Sequence, residues 1–178
     1  AMQQTDDIRD HMVYFLENHD EQRIGSDFFA ARSVKGVPGM IASVLMYKNP
    51  FMLYAGEEYG ERGMDREGFS GNDGRTTIFD YWSIDTLCRA ASGKLTDEEK
   101  ALYDLHKKVL LLARREKTVS DGLFFDLMYV NGHMDRQYVF LRKYDNELLL
   151  VAVNFEDREV ELDVNIPAHA FDYLEIKE

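Results

Sequence analysis

The densest cluster of reactive side chains in this 178-residue chain is Phe15-Leu16-Glu17-Asn18-His19-Asp20. Carboxylates, an amide and an imidazole follow directly on the apolar run Met12-Val13-Tyr14-Phe15-Leu16, with no Gly or Pro between them. The pattern reads as a buried strand whose C-terminal end carries chemistry. Several hydrogen-bonding side chains in a row are costly at the end of a buried strand unless something needs them. A solvated turn after an edge strand would have the same composition. A second run, Phe51-Met52-Leu53-Tyr54-Ala55, ends in the same way in Gly56-Glu57-Glu58. Glu57 and Glu58 do not form a catalytic pair on an extended chain, because adjacent residues point to opposite faces. One of them is expected to hold the strand end in place. Arg23, just beyond the first cluster, is read as pairing with one of its carboxylates, since a guanidinium suits bidentate fixing of a carboxylate.

The elements that must position these groups are legible around them. Pro38 suits the start of a helix with Val37, Met40, Ile41, Val44 and Leu45 on one face, and Asn49-Pro50 stops it. Strand, helix and strand with polar ends make a βαβ unit, and strands apolar on both faces belong to a buried parallel sheet. From Gly56 to Gly93 no period is evident; a loop of that length is commonly a lid or binding loop. Thr96-Asp97-Glu98-Glu99 is a capping box opening an amphipathic helix with Leu102, Leu105, Val109 and Leu112 on one face, and Arg114, Arg115 and Lys117 suit its last turn. Beyond it the period becomes two. Turn signals at Asn131-Gly132, Asp145-Asn146 and Glu156-Asp157 separate runs over Gly122–Val130, Gln137–Tyr144, Leu148–Phe155 and Arg158–Ile166, and a last strand is expected over Phe171–Ile176.

Composition narrows the partners. With 21 basic and 33 acidic residues the formal charge is −12, which argues against nucleic acid or an anionic membrane surface. No run approaches a membrane span, no signal-peptide pattern opens the chain, and compartment is left open. Ala1 in place of Met predicts a processed or cut product. The single Cys88 excludes an internal disulfide and a thiolate cluster. Asp65, Glu67, Asn72 and Asp73 are acidic loop residues whose spacing fails the EF-hand pattern, so no cofactor or metal site is assigned to this chain. Tyr59, Phe69, Tyr81 and Trp82 offer ring faces on which a ligand could stack, the last two more simply core, and His106 and His133 are read as surface or helix-packing residues.

Three segments in order carry a resemblance. The run Phe15 to Asp20 looks like the fourth block of the α-amylase family of glycoside hydrolases. Pro50-Phe51-Met52-Leu53-Tyr54-Ala55-Gly56-Glu57-Glu58 resembles that family's following barrel strand with its Gly-x-Glu ending, and Arg75-Thr76-Thr77-Ile78-Phe79-Asp80-Tyr81-Trp82 is similar to the segment before its last barrel helix. The resemblance implies an α/β plus all-β chain: the last two β/α units of a (β/α)8 barrel over residues 1–118, then a small antiparallel, β-sandwich-like C-terminal domain over 119–178. A complete barrel takes roughly 250 residues, so the chain would be a fragment of the resembled enzyme.

On matching positions, the resemblance implies that Asp20 is the third catalytic carboxylate, a transition-state stabiliser, and that His19 binds a sugar hydroxyl. Glu17, Asn18, Arg23 and Tyr59 would be substrate-binding. Retaining glycosidases also need two carboxyl groups about 5–5.5 Å apart, which the family supplies from earlier strands. The chain alone is therefore expected to be inactive toward α-1,4-linked glucans. Calcium is possible in the parent, an α-glucan oligosaccharide would be its ligand, and the strands made for a closed barrel predict a homo-oligomer. Transglycosylases and isomerases share these blocks. The competing reading is a non-catalytic carbohydrate-binding or interaction module in which the sheet domain is the functional part.

Overall fold

A computed structural model describes residues 8–65, 72–80 and 83–176. Phe69, Tyr81, Trp82 and Glu67 lie outside the described residues. The first half is built on β1 (Tyr14–Phe15), α1 (Val37–Met46) and β2 (Phe51–Met52). The two strands pair in parallel, Tyr14 opposite Phe51 and Phe15 opposite Met52, so the βαβ unit forms. Pro38 sits in the first turn of α1, and Val37, Met40, Ala42, Val44 and Leu45 are buried. Met40, Ala42, Val44 and Leu45 join the core, with Leu16 and Phe51 packed against it. The Asn49 amide donates to Met12 O at 2.9 Å, tying the end of α1 to the start of the strand pair.

Two expectations about the strands need correction. The apolar runs cover five residues each, yet only two residues of each enter the ladder, and each strand has a single partner among the described residues. Nor are the strands buried on both faces. Tyr14 and Leu16 turn toward α1, while Val13 is 50% exposed, Phe15 46% and Met52 39%. One side of the pair packs on the helix and the other is uncovered.

Further along, α2 (Asp85–Ala91) lies in the stretch where no period was evident; seven residues are too few to establish one. The capping box on Thr96 and Glu99 opens α3 (Asp97–Arg115) as its sequence predicts, with His106 and Val109 buried. A single turn, α4 (Lys117–Ser120), leads into the antiparallel sheet of β3 (Leu123–Asp126), β4 (Gln137–Tyr144) and β5 (Glu147–Asn154), with β4 central. β4 is covered on both faces. Phe140 packs in the same cluster as Met40, Val44 and Val109, and Val139 and Leu141 pack with Leu127, Met134 and Leu174. The first of these clusters therefore runs without a break from α1 into the sheet. Arg142 on β4 crosses the same junction, donating to Met46 O at 2.5 Å, Thr118 O at 2.8 Å and Val119 O at 2.5 Å.

The last two expected strands are not strands. Residues 158–166 keep the predicted alternation, Val160, Leu162 and Val164 half-buried against exposed Glu159, Glu161 and Asp163, but they make no ladder. A side chain substitutes for a neighbouring strand: Asn131 donates to Asn165 O at 3.0 Å and accepts from Asn165 N at 2.8 Å. Phe171–Ile176 falls largely in the helix α5 (Ala168–Tyr173), which follows Pro167. Ala170 and Leu174, one turn apart, are both fully buried and set the helical period, leaving Phe171 and Tyr173 outside. Among the described residues the C-terminal part is thus one three-stranded sheet covered by extended chain and a helix, not two sheets. No helix among the described residues is long and apolar enough to cross a membrane.

Candidate functional site

The parallel register puts the C-terminal ends of β1 and β2 side by side, and Arg23 fastens them. Its side chain is fully buried. Nη1 donates to Glu17 Oε2 at 2.7 Å, Nη2 to Ala55 O at 2.7 Å, and Nε and Nη2 to Thr76 Oγ1 at 3.0 and 2.6 Å. The guanidinium carbon lies 4.2 Å from the centroid of the Tyr54 ring, and Tyr54 OH donates to Thr76 O at 2.8 Å. The remaining Glu17 oxygen, Oε1, accepts Ile24 N at 2.8 Å. One buried ion pair therefore binds the end of β1, the end of β2 and the segment through Thr76, with its hydrogen-bonding groups satisfied by the protein.

That segment is held at close quarters. Arg23 N donates to Gly74 O and Gly74 N to Gly63 O, at 2.6 and 2.9 Å. Gly74 has φ +80°, and a Cβ there would come within 2.8 Å of Ser26, so only glycine fits.

Around this anchor two further carboxyl groups behave in opposite ways. Glu57 lies in a turn of 3-10 helix after β2, not on extended chain, so turn geometry is what separates it from Glu58. It is buried, accepts Tyr54 N at 3.4 Å through Oε2, and its Oε1 has no hydrogen-bond partner among the described residues. Burial, reinforced by the Glu17 charge, pushes its carboxyl up to about 8. Glu61 is equally buried. Burial would raise it, but hydrogen bonds from Thr86 Oγ1 at 2.5 Å, Gly63 N at 2.9 Å and Arg62 N at 2.8 Å outweigh that and hold it below the usual carboxylate range.

The candidate residues divide accordingly. Glu17 and Arg23 come together facing inward. Asn18 shapes the turn, its Oδ1 accepting Asp20 N at 2.8 Å and Glu21 N at 3.0 Å. His19 and Asp20 emerge beyond it as an exposed pair, Nε2 to Oδ1 3.4 Å, with side chains 54% and 75% exposed. Tyr59 lies apart from this cluster. It stacks on Tyr103 of α3, ring centroids 5.4 Å apart, and lines a different cleft. Thr76 and Glu61 are the members of the site that residue types alone do not single out, whereas Glu57 is the one of the Glu57-Glu58 pair that lies buried at the strand end; the signal for Thr76 is its place in the segment Arg75-Thr76-Thr77. Asp80 in the same segment is buried and caps Thr77, accepting its N–H at 2.8 Å and its hydroxyl at 2.9 Å. No group of three or more His, Cys, Asp or Glu side chains among the described residues is arranged to hold a metal ion.

No family model matches the sequence, and comparison with curated proteins finds no relative. Solved structures do match. The chain is similar to trehalose-6-phosphate hydrolase from Bacillus licheniformis, at 18% identity over 88% of this chain and 37% of that one, with a TM-score of 0.51. A point variant of the same hydrolase aligns with a TM-score of 0.54, at 18% identity over 86% of this chain and 36% of that one. An isomaltulose synthase variant from Erwinia rhapontici aligns at 16% identity over 82% of this chain and 34% of that one, with a TM-score of 0.49. The chain spans about a third of the length of these enzymes. Its fold is thus like that of one part of a larger glycoside hydrolase.

Proposed function

We propose that this chain is the C-terminal part of an α-amylase-like glycoside hydrolase acting on α-1,4-linked glucans. In this reading residues 1–118 end the catalytic barrel and residues 119–178 form the domain after it. The observation that carries the reading is the crown itself: parallel strand ends locked by Glu17 and Arg23, with His19 and Asp20 side by side beyond the lock. The three family-like segments and the likeness of fold to a trehalose-6-phosphate hydrolase over about a third of its length support it. Asp20 would stabilise the charge that develops on a sugar ring, and His19 would hold a sugar hydroxyl. Asn18, Glu17 and Arg23 would fix the turn that presents them. A nucleophile and a general acid, both required for hydrolysis with retention, would come from strands outside these residues.

Incubation of the purified chain with maltooligosaccharides tests this. No release of reducing sugar is expected. Release that disappears with Asp20→Asn would overturn the proposal, because it would mean that the chain carries a whole catalytic set.

One observation favours the reading as a carbohydrate-binding module. Phe125 and Tyr129 meet His169 and Tyr173 in a surface cluster: Tyr129 is 59% and Tyr173 55% exposed, and Tyr129 OH lies 2.7 Å from His169 Nε2. Apolar ring faces beside hydroxyl and imidazole groups suit a sugar. Oligosaccharide binding that survives loss of His19 and Asp20 but not Tyr129→Ala would select this second reading.

A further inference from the structure

The chain carries a formal charge of −12, yet a cleft of about 820 Å³ on its surface is lined by four cations. It lies where the connection from β1 to α1 meets the end of the antiparallel sheet. Arg32 and Lys35 approach from the first, Arg136 and Arg158 from the second, and Val34 and Phe155 give it an apolar wall. Among the described residues, only two carboxylates share the cleft. Asp157 stands 3.9 Å from Arg32 Nη1 and 3.6 Å from Lys35 Nζ, beyond hydrogen-bonding distance of both. Glu156 pairs with one of the four cations, accepting from Arg158 Nε at 2.5 Å and from Gln137 Nε2 at 3.3 Å, and so leaves the terminal nitrogens of Arg158 and the whole of Arg136 to the cleft. Cations from separate elements therefore converge with donor capacity to spare, in a volume typical of small-molecule sites.

We propose that this cleft binds a phosphate ester of a small molecule. A phosphate dianion matches converging guanidinium forks better than a single carboxylate does, and Val34 and Phe155 would take the less polar body of the ligand. Long polyanions are disfavoured, because the acidic remainder of the surface repels them while a small dianion responds to the local field. The proposal is independent of the role of His19 and Asp20, neither of which lines the cleft.

Calorimetric titration of the full chain with glucose 6-phosphate, glucose and inorganic phosphate at low salt tests it. Saturable one-to-one binding of glucose 6-phosphate is expected, with glucose silent and inorganic phosphate weaker. The double variant Arg136→Glu/Arg158→Glu should lose about tenfold or more in affinity. Asp157→Asn should bind several-fold tighter, because it removes the carboxylate that competes for Arg32 and Lys35. Unchanged affinity in the double variant, no gain with Asp157→Asn, inorganic phosphate binding as tightly as the ester, or no binding at all would each overturn the proposal. The Asp157→Asn arm keeps the test decisive if the double variant does not fold.

Discussion

Arg23 donates to Glu17 Oε2 at 2.7 Å with both side chains withdrawn from solvent, so the residue between two strand ends is a buried cation and not a loop charge. Removing one member of such a pair leaves an uncompensated charge in a low-dielectric setting. Arg23→Ala should therefore cost roughly 3–5 kcal/mol of stability. Glu17→Leu combined with Arg23→Met should cost clearly less than the two single changes added together, because neither charge remains. Urea denaturation of the four species measures this; a loss below about 1 kcal/mol for Arg23→Ala would mean that the pair does not hold the strand ends.

Glu57 makes stability depend on pH. Its carboxyl is raised from 4.5 to about 8 in the folded chain, so between those values the folded state binds a proton that the unfolded state has released. Stability from this group is whole below about pH 4.5 and is lost as pH rises through about 8. Denaturation midpoints for the wild type should fall across that window, and those of Glu57→Gln should fall less. Parallel profiles for the two proteins would remove Glu57 as the cause. Glu61 works in the other direction. Its depressed carboxyl gives stability that is present above the unfolded value of 4.5 and lost as pH falls below it, and Glu61→Gln should flatten the acid limb.

The uncovered face of the strand pair bears on association. Val13, Phe15 and Met52 lie exposed beside strand edges that have no partner among the described residues. We propose that copies of the chain associate through this face, burying apolar surface and edge together. Light scattering should find a dimer or larger species, and Val13→Ser with Phe15→Ser should shift it toward monomer. A wild-type chain that is monomeric at micromolar concentration, or a variant that associates as strongly, would contradict this.

Much of the architecture was legible because it rests on local chemistry. Pro38 with the apolar face behind it marked α1, Thr96 and Glu99 marked the start of α3, and the runs over 137–144 and 148–155 marked β4 and β5. Where local chemistry was ambiguous, tertiary packing chose. The alternation at Val160, Leu162 and Val164 is satisfied equally by a strand or by extended chain against a sheet, and Asn131 took the place that a ladder would have filled. A last strand was expected over Phe171–Ile176, but burial of Ala170 and Leu174 selected a helix.

The same division runs through the candidate site. Sequence alone determined that carboxylates, an imidazole and an arginine crowd the ends of two apolar runs, because such a cluster departs from the usual turn residues. Only the tertiary structure decided their parts. Arg23 chose Glu17 and recruited Ala55 O and Thr76, 32 and 53 residues away along the chain, while His19 and Asp20 were left in solvent. Glu57 and Glu61, both glutamates and both buried, diverged because four donors reach Glu61 whereas Glu57 keeps an oxygen without a partner among the described residues. Desolvation and long-range hydrogen bonds set those differences, and neither is written in the identity of the residue or its neighbours along the chain.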